Sequence, residues 1–248
     1  MKKLTVNRIS KAFGNKHVLQ DVSIELNQGE LVGLLGVSGG GKSTLFNIIS
    51  GLLSPDKGEV FLNGNNVTNK PGSITYMMQK DLLLPYKTIE DNVALPLLLN
   101  GMRKKQARQY ISPLFSHFGL EGTQKKYPSQ LSGGMCQRAA LMRSYIFSQD
   151  VILLDEPFSA LDAITKKSIH KWYLDIVEKM NISTLFITHD IDEAILLSDR
   201  IYLLSDSPGR IIGEFVIDEP KPRNDKFNLS TKFIEYKKEI LSMIDKAI

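Results

Sequence analysis

Gly36-Val37-Ser38-Gly39-Gly40-Gly41-Lys42-Ser43 decides the reading of this chain. It fits G-x-x-x-x-G-K-[ST], directly after the apolar run Leu31-Val32-Gly33-Leu34-Leu35 and directly before an amphipathic stretch over 42 to 53. A strand that runs into a glycine-rich turn and opens a helix is the setting this pattern requires. Glycines let backbone N–H groups converge on phosphate oxygens, and the helix N-terminus adds donors and partial positive charge. On this reading Gly36, Ser38, Gly39, Gly40 and Gly41 form the cradle. Lys42 reaches the β- and γ-phosphates, and Ser43 ligates Mg2+ with Thr44 beside it. The plain alternative is a flexible glycine-rich turn.

Three more runs share the apolar texture of 31 to 35: Val151-Ile152-Leu153-Leu154, Thr184-Leu185-Phe186-Ile187 and Ile201-Tyr202-Leu203-Leu204. Strands covered on both faces look like this. Helical patterns at 42 to 53, 162 to 180 and 190 to 198 separate them, so the order predicts β-α units around a parallel sheet. Near the N-terminus, Val22, Ile24 and Leu26 alternate with polar residues, and Val60 and Leu62 run into the turn Asn63-Gly64. An antiparallel sheet is expected there. Residues 86 to 148 carry helical patterns without a strand run, which predicts an inserted helical subdomain. Pro220, Pro222 and Asn224-Asp225 break the chain before a last amphipathic helix over about 230 to 246.

Asp155-Glu156 follows the run 151 to 154, which places two carboxylates at the carboxyl end of a buried strand, where open α/β sheets bind ligands. Asp155 fits a carboxylate that holds Mg2+ through water, and Glu156 is placed to take a proton from an attacking water. Capping of the next turn is the bland alternative.

The 248 residues are 42% hydrophobic and 23% charged, which suits one sizeable core and excludes disordered and collagen-like chains. The lone Cys136 excludes an internal disulfide framework and points to a reducing compartment. The N-terminus reaches polar residues too soon for a secretory signal, and the apolar runs fall far short of the roughly 20 residues that span a bilayer. The net charge of +4 is concentrated in residues 221 to 248, where seven Lys/Arg face four Asp/Glu. The body is nearly balanced and offers no stripe for tracking a phosphate backbone, so no nucleic-acid partner is expected. Asn69-Lys70-Pro71-Gly72 lacks the acid of a guanine-reading motif.

Leu131-Ser132-Gly133-Gly134-Met135-Cys136-Gln137-Arg138 closely resembles the signature sequence of ABC ATPases, and the resemblance covers residues 1 to about 217. It implies an α/β fold: a P-loop NTPase (RecA-like) core with a mainly parallel sheet, an antiparallel β subdomain and a helical subdomain over about 86–148. Residues 218–248 remain as a basic helical tail. It also implies ATP and Mg2+ as ligands and several site residues. Phe13 falls where the family stacks an aromatic, commonly Tyr, on adenine; the alternative is a core Phe. Gln79, after the run Ile74 to Met78, matches the glutamine that senses Mg2+ and the attacking water. Ser159-Ala160-Leu161-Asp162 resembles the loop that crosses to a partner subunit, with Asp162 also able to cap the next helix. His189 resembles the switch histidine that touches the γ-phosphate, whereas His17, His117 and His170 read as surface or packing residues. Ser132, Gly133 and Gly134 open a helix able to present N–H donors to an anion. In the family this signature closes over the ATP of a second subunit in a head-to-tail dimer. Cys136 departs from the basic or polar residue common there; a small buried thiol is the simple reading, and a modifiable thiol near the nucleotide is the alternative.

The resemblance further implies integral membrane permease subunits, a homodimer of ATPase subunits, an extracytoplasmic solute-binding protein engaged indirectly, and a site at the cytoplasmic face of the membrane. Leu82-Leu83-Leu84-Pro85-Tyr86 falls where the family docks a helix of the permease, an exposed apolar stretch being suited to receive one; core packing is the alternative. Ser207-Pro208-Gly209-Arg210-Ile211 and Pro220-Lys221-Pro222-Arg223 resemble subunits serving nitrate, sulfonate, taurine and thiamine-precursor pyrimidine importers. An exporter or lipoprotein-release ATPase and a soluble ABC ATPase acting on nucleic acid or ribosomes are the competing readings.

Overall fold

A computed structural model describes residues 1–36, 39–79, 82–147, 150–159, 161–223 and 225–247. Two sheets organise it. The first is antiparallel, in the order β2-β1-β4-β5, with β1 Lys2–Phe13, β2 Lys16–Asn27, β4 Lys57–Leu62 and β5 Asn65–Asn66. Its inward residues are those of the alternating pattern: Val22, Ile24 and Leu26 are buried, as is Val60. Asn63 (φ 49°) and Gly64 (φ 78°) form the β4–β5 turn, two consecutive left-handed residues of the kind a two-residue hairpin requires.

The second sheet has six strands in the order β10-β9-β3-β8-β7-β6: β3 Leu31–Gly36, β6 Thr75–Met77, β7 Val151–Asp155, β8 Ser183–Thr188, β9 Arg200–Leu204 and β10 Ile211–Val216. All pairings are parallel except that of the edge strand β10 with β9. Every residue of β3, β7 and β8 is buried, as their apolar sequences require. Register is what builds the site. Leu35 pairs with Thr188, Asp155 with Ile187 and Met77 with Leu154, so β3, β6, β7 and β8 release their loops at one edge.

Helix α1 (Lys42–Ile49) lies between the sheets with Phe46 fully buried and edge-on to Tyr76, ring centroids 5.8 Å apart. It ends earlier than the expected 53, because Gly51 turns left-handed (φ 78°) and its N–H closes on the Ile48 carbonyl. The helices α2 Ile89–Val93, α3 Leu95–Leu99, α4 Lys104–Ile111, α5 Leu114–His117 and α6 Gly133–Phe147 share one apolar cluster with α7 Ala163–Met180. Within it, Cys136 is a buried thiol that donates to the Pro128 carbonyl at 3.5 Å.

Residues 82 to 86 depart from the expected exposed stretch. Leu82 and Tyr86 are exposed, but Leu83 joins the core and Leu84 is half-buried, its N–H held by the Asn92 side chain at 2.7 Å. Fully buried Asn92 also donates to the Leu84, Lys87 and Thr88 carbonyls, which closes this segment over its own helix.

The tail forms α9 Asp225–Asn228 and α10 Thr231–Ala247. Phe227, Phe233 and Ile240 pack on Ala194 and Ile195 of α8 (Ile191–Leu197). Burying each contributes roughly 1.5–3 kcal/mol. A surface ion pair such as Lys232–Glu219 contributes about 0–1 kcal/mol. Apolar packing therefore outweighs the surface ion pairs, and Arg223 adds hydrogen bonds to the Ile195 and Ser198 carbonyls.

Candidate active site

The turn after β3 is glycine-rich for two reasons. Gly39 (φ 91°) and Gly41 (φ 88°) adopt left-handed backbone that side chains resist. A β-carbon on Gly41 would also come within 2.9 Å of Leu19 Cδ2 and 3.0 Å of the Val18 carbonyl, so the turn is pressed against the start of β2. Val37 and Ser38 lie outside the described residues. Lys42 is buried and its ammonium donates to the Gly36 carbonyl at 2.8 Å, which folds the side chain back over the turn. Burial lowers its pKa, and the nearby charges of Glu156 and Asp155 oppose that shift. Thr44 is half-buried one residue beyond exposed Ser43.

Asp155 closes β7 as a buried carboxylate. The hydroxyls of Ser43 and Tyr76 both donate to its Oδ2, at 3.0 and 2.9 Å. Burial, then the adjacent Asp155 charge, push the Tyr76 hydroxyl above its ordinary range, so it remains a neutral donor. A hydroxyl and a carboxylate joined beside the glycine-rich turn form a hard oxygen pair of the type Mg2+ prefers.

Glu156 is held in a left-handed conformation (φ 47°) with its N–H on the Ile187 carbonyl at 3.1 Å. Strained backbone of this kind costs of order 1–3 kcal/mol for a non-glycine residue and gathers at functional sites. The turn brings its carboxylate between two side chains from other loops. Gln79 Nε2 donates to Oε2 at 3.2 Å, and His189 Nδ1 lies 3.1 Å from Oε1. Ser159 joins them, its hydroxyl 3.5 Å from Gln79 Nε2 and donating to the Glu156 carbonyl at 3.0 Å. Residues 110 positions apart in sequence are thus one cluster, with the His189 side chain 57% exposed and open to a ligand.

Phe13 sits at the tip of the β1–β2 hairpin, paired with Lys16 and 52% exposed, which excludes the core-Phe reading. Lys11 Nζ stands 5.5 Å from its ring centroid. Asp162 caps α7, accepting the N–H groups of Ile164 and Thr165 at 3.1 Å each, while remaining exposed; Ala160 lies outside the described residues. Ser132 opens α6 by accepting the Met135 N–H at 3.3 Å. Ser132 and Gly133 face solvent, and Gly134 packs on Thr165 and Ile169 of α7. Gly133 lies nearest Leu161, just before α7.

Sequence reading missed Tyr76, whose signal is strand alternation: Thr75 and Met77 point to one face, so Tyr76 faces α1 and the site. It also passed over Ser159 as an individual site residue. Of the other histidines, His17 and His117 are exposed, whereas His170 packs edge-on to Phe158 and meets buried Glu193 at 3.0 Å.

A glycine cradle with a buried lysine, a hydroxyl-bound strand-end aspartate and an oriented glutamate on one parallel-sheet edge define a phosphate-loop nucleotide hydrolase. Residues 19–159 match the family described as ABC transporter, and the chain belongs to that family as an ATPase whose hydrolysis is coupled to transport. It is 45% identical to the formylaminopyrimidine import ATP-binding protein ThiZ of Halalkalibacterium halodurans, over 83% of this chain and 80% of that one. It is 36% identical to the aliphatic sulfonates import ATP-binding protein SsuB of Bacillus cereus, over 98% and 96%. Its fold matches CbiO1 of Clostridium perfringens, part of an ABC transporter complex, with a TM-score of 0.80, 24% identity and 96% and 99% coverage. A dimeric ATP-binding cassette in a post-hydrolysis state, bound to ADP and Pi, matches with a TM-score of 0.72, 28% identity and 88% and 100% coverage.

Proposed function

We propose that this chain energises an importer of a small anionic or heterocyclic solute, of the nitrate, sulfonate, taurine or thiamine-precursor pyrimidine type. Two copies pair head to tail beneath membrane-spanning permease subunits at the cytoplasmic face of the membrane, and an extracytoplasmic solute-binding protein delivers cargo. The relatives named for formylaminopyrimidine and sulfonate import support this subclass. No helix of the described residues is long and apolar enough to cross a membrane.

The observation that carries the chemical reading is the grip of Gln79 and His189 on Glu156. Glu156 accepts a proton from water in line with the γ-phosphate, Gln79 orients that water, and His189 fixes the carboxylate and contacts the phosphate. Lys42 and the turn from Gly36 to Gly41 hold the phosphate chain, and Phe13 stacks on adenine. Ser43 and Asp155 would hold Mg2+, which neutralises phosphate charge when bound. Ser132, Gly133 and Gly134 complete the site of the other copy, and Asp162 lies at the crossing. A cavity of about 280 Å³ lined by Leu52, Tyr76, Met78, Leu82, Arg143 and Phe147 is proposed to receive an amphipathic helix of the permease.

Copurification from gently solubilised cells tests the assignment. A polytopic membrane protein together with an extracytoplasmic binding protein is the expected result. A polytopic partner alone would favour export, and ribosomes or nucleic acid would overturn the transporter reading.

A further inference from the structure

The connection from β9 to β10 reaches far from its own hairpin and lies along the start of β2. Gly209 donates its N–H to the Val18 carbonyl at 2.8 Å, and its own carbonyl accepts the Gln20 N–H at 3.0 Å, making a parallel bridge opposite Leu19. The Ser207 hydroxyl donates to the His17 carbonyl at 3.1 Å, and the Arg210 guanidinium donates to the Gln20 side chain. Ser205 shapes the loop internally: its hydroxyl donates to the Pro208 carbonyl at 3.0 Å and accepts the Arg210 N–H at 2.9 Å.

Gly209 is buried, and its φ lies outside the left-handed region, so its backbone would suit any residue. Space is what demands glycine. A β-carbon there would drive into the carbonyl oxygen of Gly40, inside the phosphate turn, and press on Leu19 and Leu204 side chains at 3.3 Å each. The same stretch of β2 also meets Gly41, through Val18 and the same Leu19 Cδ2. Residues 17 to 20 therefore have the phosphate turn on one flank and the 205–210 loop tied along their backbone, with Gly40 in direct reach of Gly209.

We propose that residues 205–210 form a strap that positions the phosphate turn, with Gly209 as the contact that sets where the Gly40 carbonyl sits. Hydrogen bonds on both sides of Gly209 fix it to β2, so bulk added at this position is relieved by displacing the turn. Gly209 is a positioning residue: it touches no substrate, and it acts on phosphate binding through Gly40. The inference rests on residues 36–44 being the phosphate site.

Equilibrium binding of MgATP and of magnesium tripolyphosphate, with steady-state turnover, tests it in the full chain. Gly209→Ala is expected to weaken both ligands in parallel by at least about tenfold, with saturating kcat changed less than about twofold. Ser205→Ala, which loosens the strap without a clash, is expected to weaken both by about threefold and to decide the matter if Gly209→Ala does not fold. Unchanged tripolyphosphate affinity in folded Gly209→Ala, or in Ser205→Ala where that stands alone, would overturn the strap; so would a loss confined to ATP, since tripolyphosphate lacks the base. Failure of the underlying reading is separate: tripolyphosphate would then bind the parent chain no better than a Lys42→Ala variant.

Discussion

Helices α1 and α6 both begin in glycine-rich sequence, yet their N-termini are built differently. The turn before α1 is enclosed. Gly41 is pressed on β2, Lys42 is buried, and Ser43 bonds Asp155 from β7. The start of α6 is open: Ser132 and Gly133 face solvent, and Gly134 packs against α7. One N-terminus is tied to a strand-end carboxylate, and the other presents its first turn to solvent. A chain that spends glycines on an exposed helix start can use them by presenting that start to another copy.

The contrast can be broken from either end. Lys42→Ala removes the buried cation at the enclosed end and is expected to reduce ATP turnover by at least about 100-fold with binding lost; nucleotide titration checks it. Glu156→Gln keeps shape and hydrogen bonding while removing the proton acceptor. Turnover should fall about 100-fold or more with ATP affinity preserved, and rapid hydrolysis by the purified variant would remove Glu156 from the chemistry. His189→Ala leaves the carboxylate gripped by Gln79 alone, and a fall in kcat of at least about tenfold is expected, read against an unchanged KM. Phe13→Ala tests the adenine side. Loss of stacking should raise KM for ATP about fivefold and leave tripolyphosphate binding untouched.

The enclosed end was the more legible in sequence. Buried strands announce themselves as unbroken apolar runs, and motif spacing ties Lys42, Ser43 and Asp155 to strand ends whose parallel register aligns them. What sequence could not show is how loops meet. The approach of Gln79 and His189 to opposite oxygens of Glu156 depends on a left-handed turn at a residue type with no special liking for it. The Tyr76 hydroxyl was hidden in an apolar run, where only facing decides whether it packs or bonds. Leu83 and Leu84 looked like an exposed patch because nothing local reveals that Asn92 closes the segment down. Composition gave no clue that Gly209 stands against Gly40, since that contact joins residues far apart in the chain.

The central claim is that the phosphate turn of one copy and the α6 N-terminus of another make one hydrolytic site. Mixing two inactive variants tests it most directly: Lys42→Ala, with an intact α6 start, and Ser132→Arg, with an intact phosphate turn. A head-to-tail pair predicts that the mixture regains ATP turnover, because each mixed dimer contains one site with both halves intact. A mixture that forms mixed dimers and stays as inactive as its components would contradict a shared site and return the whole reaction to a single chain.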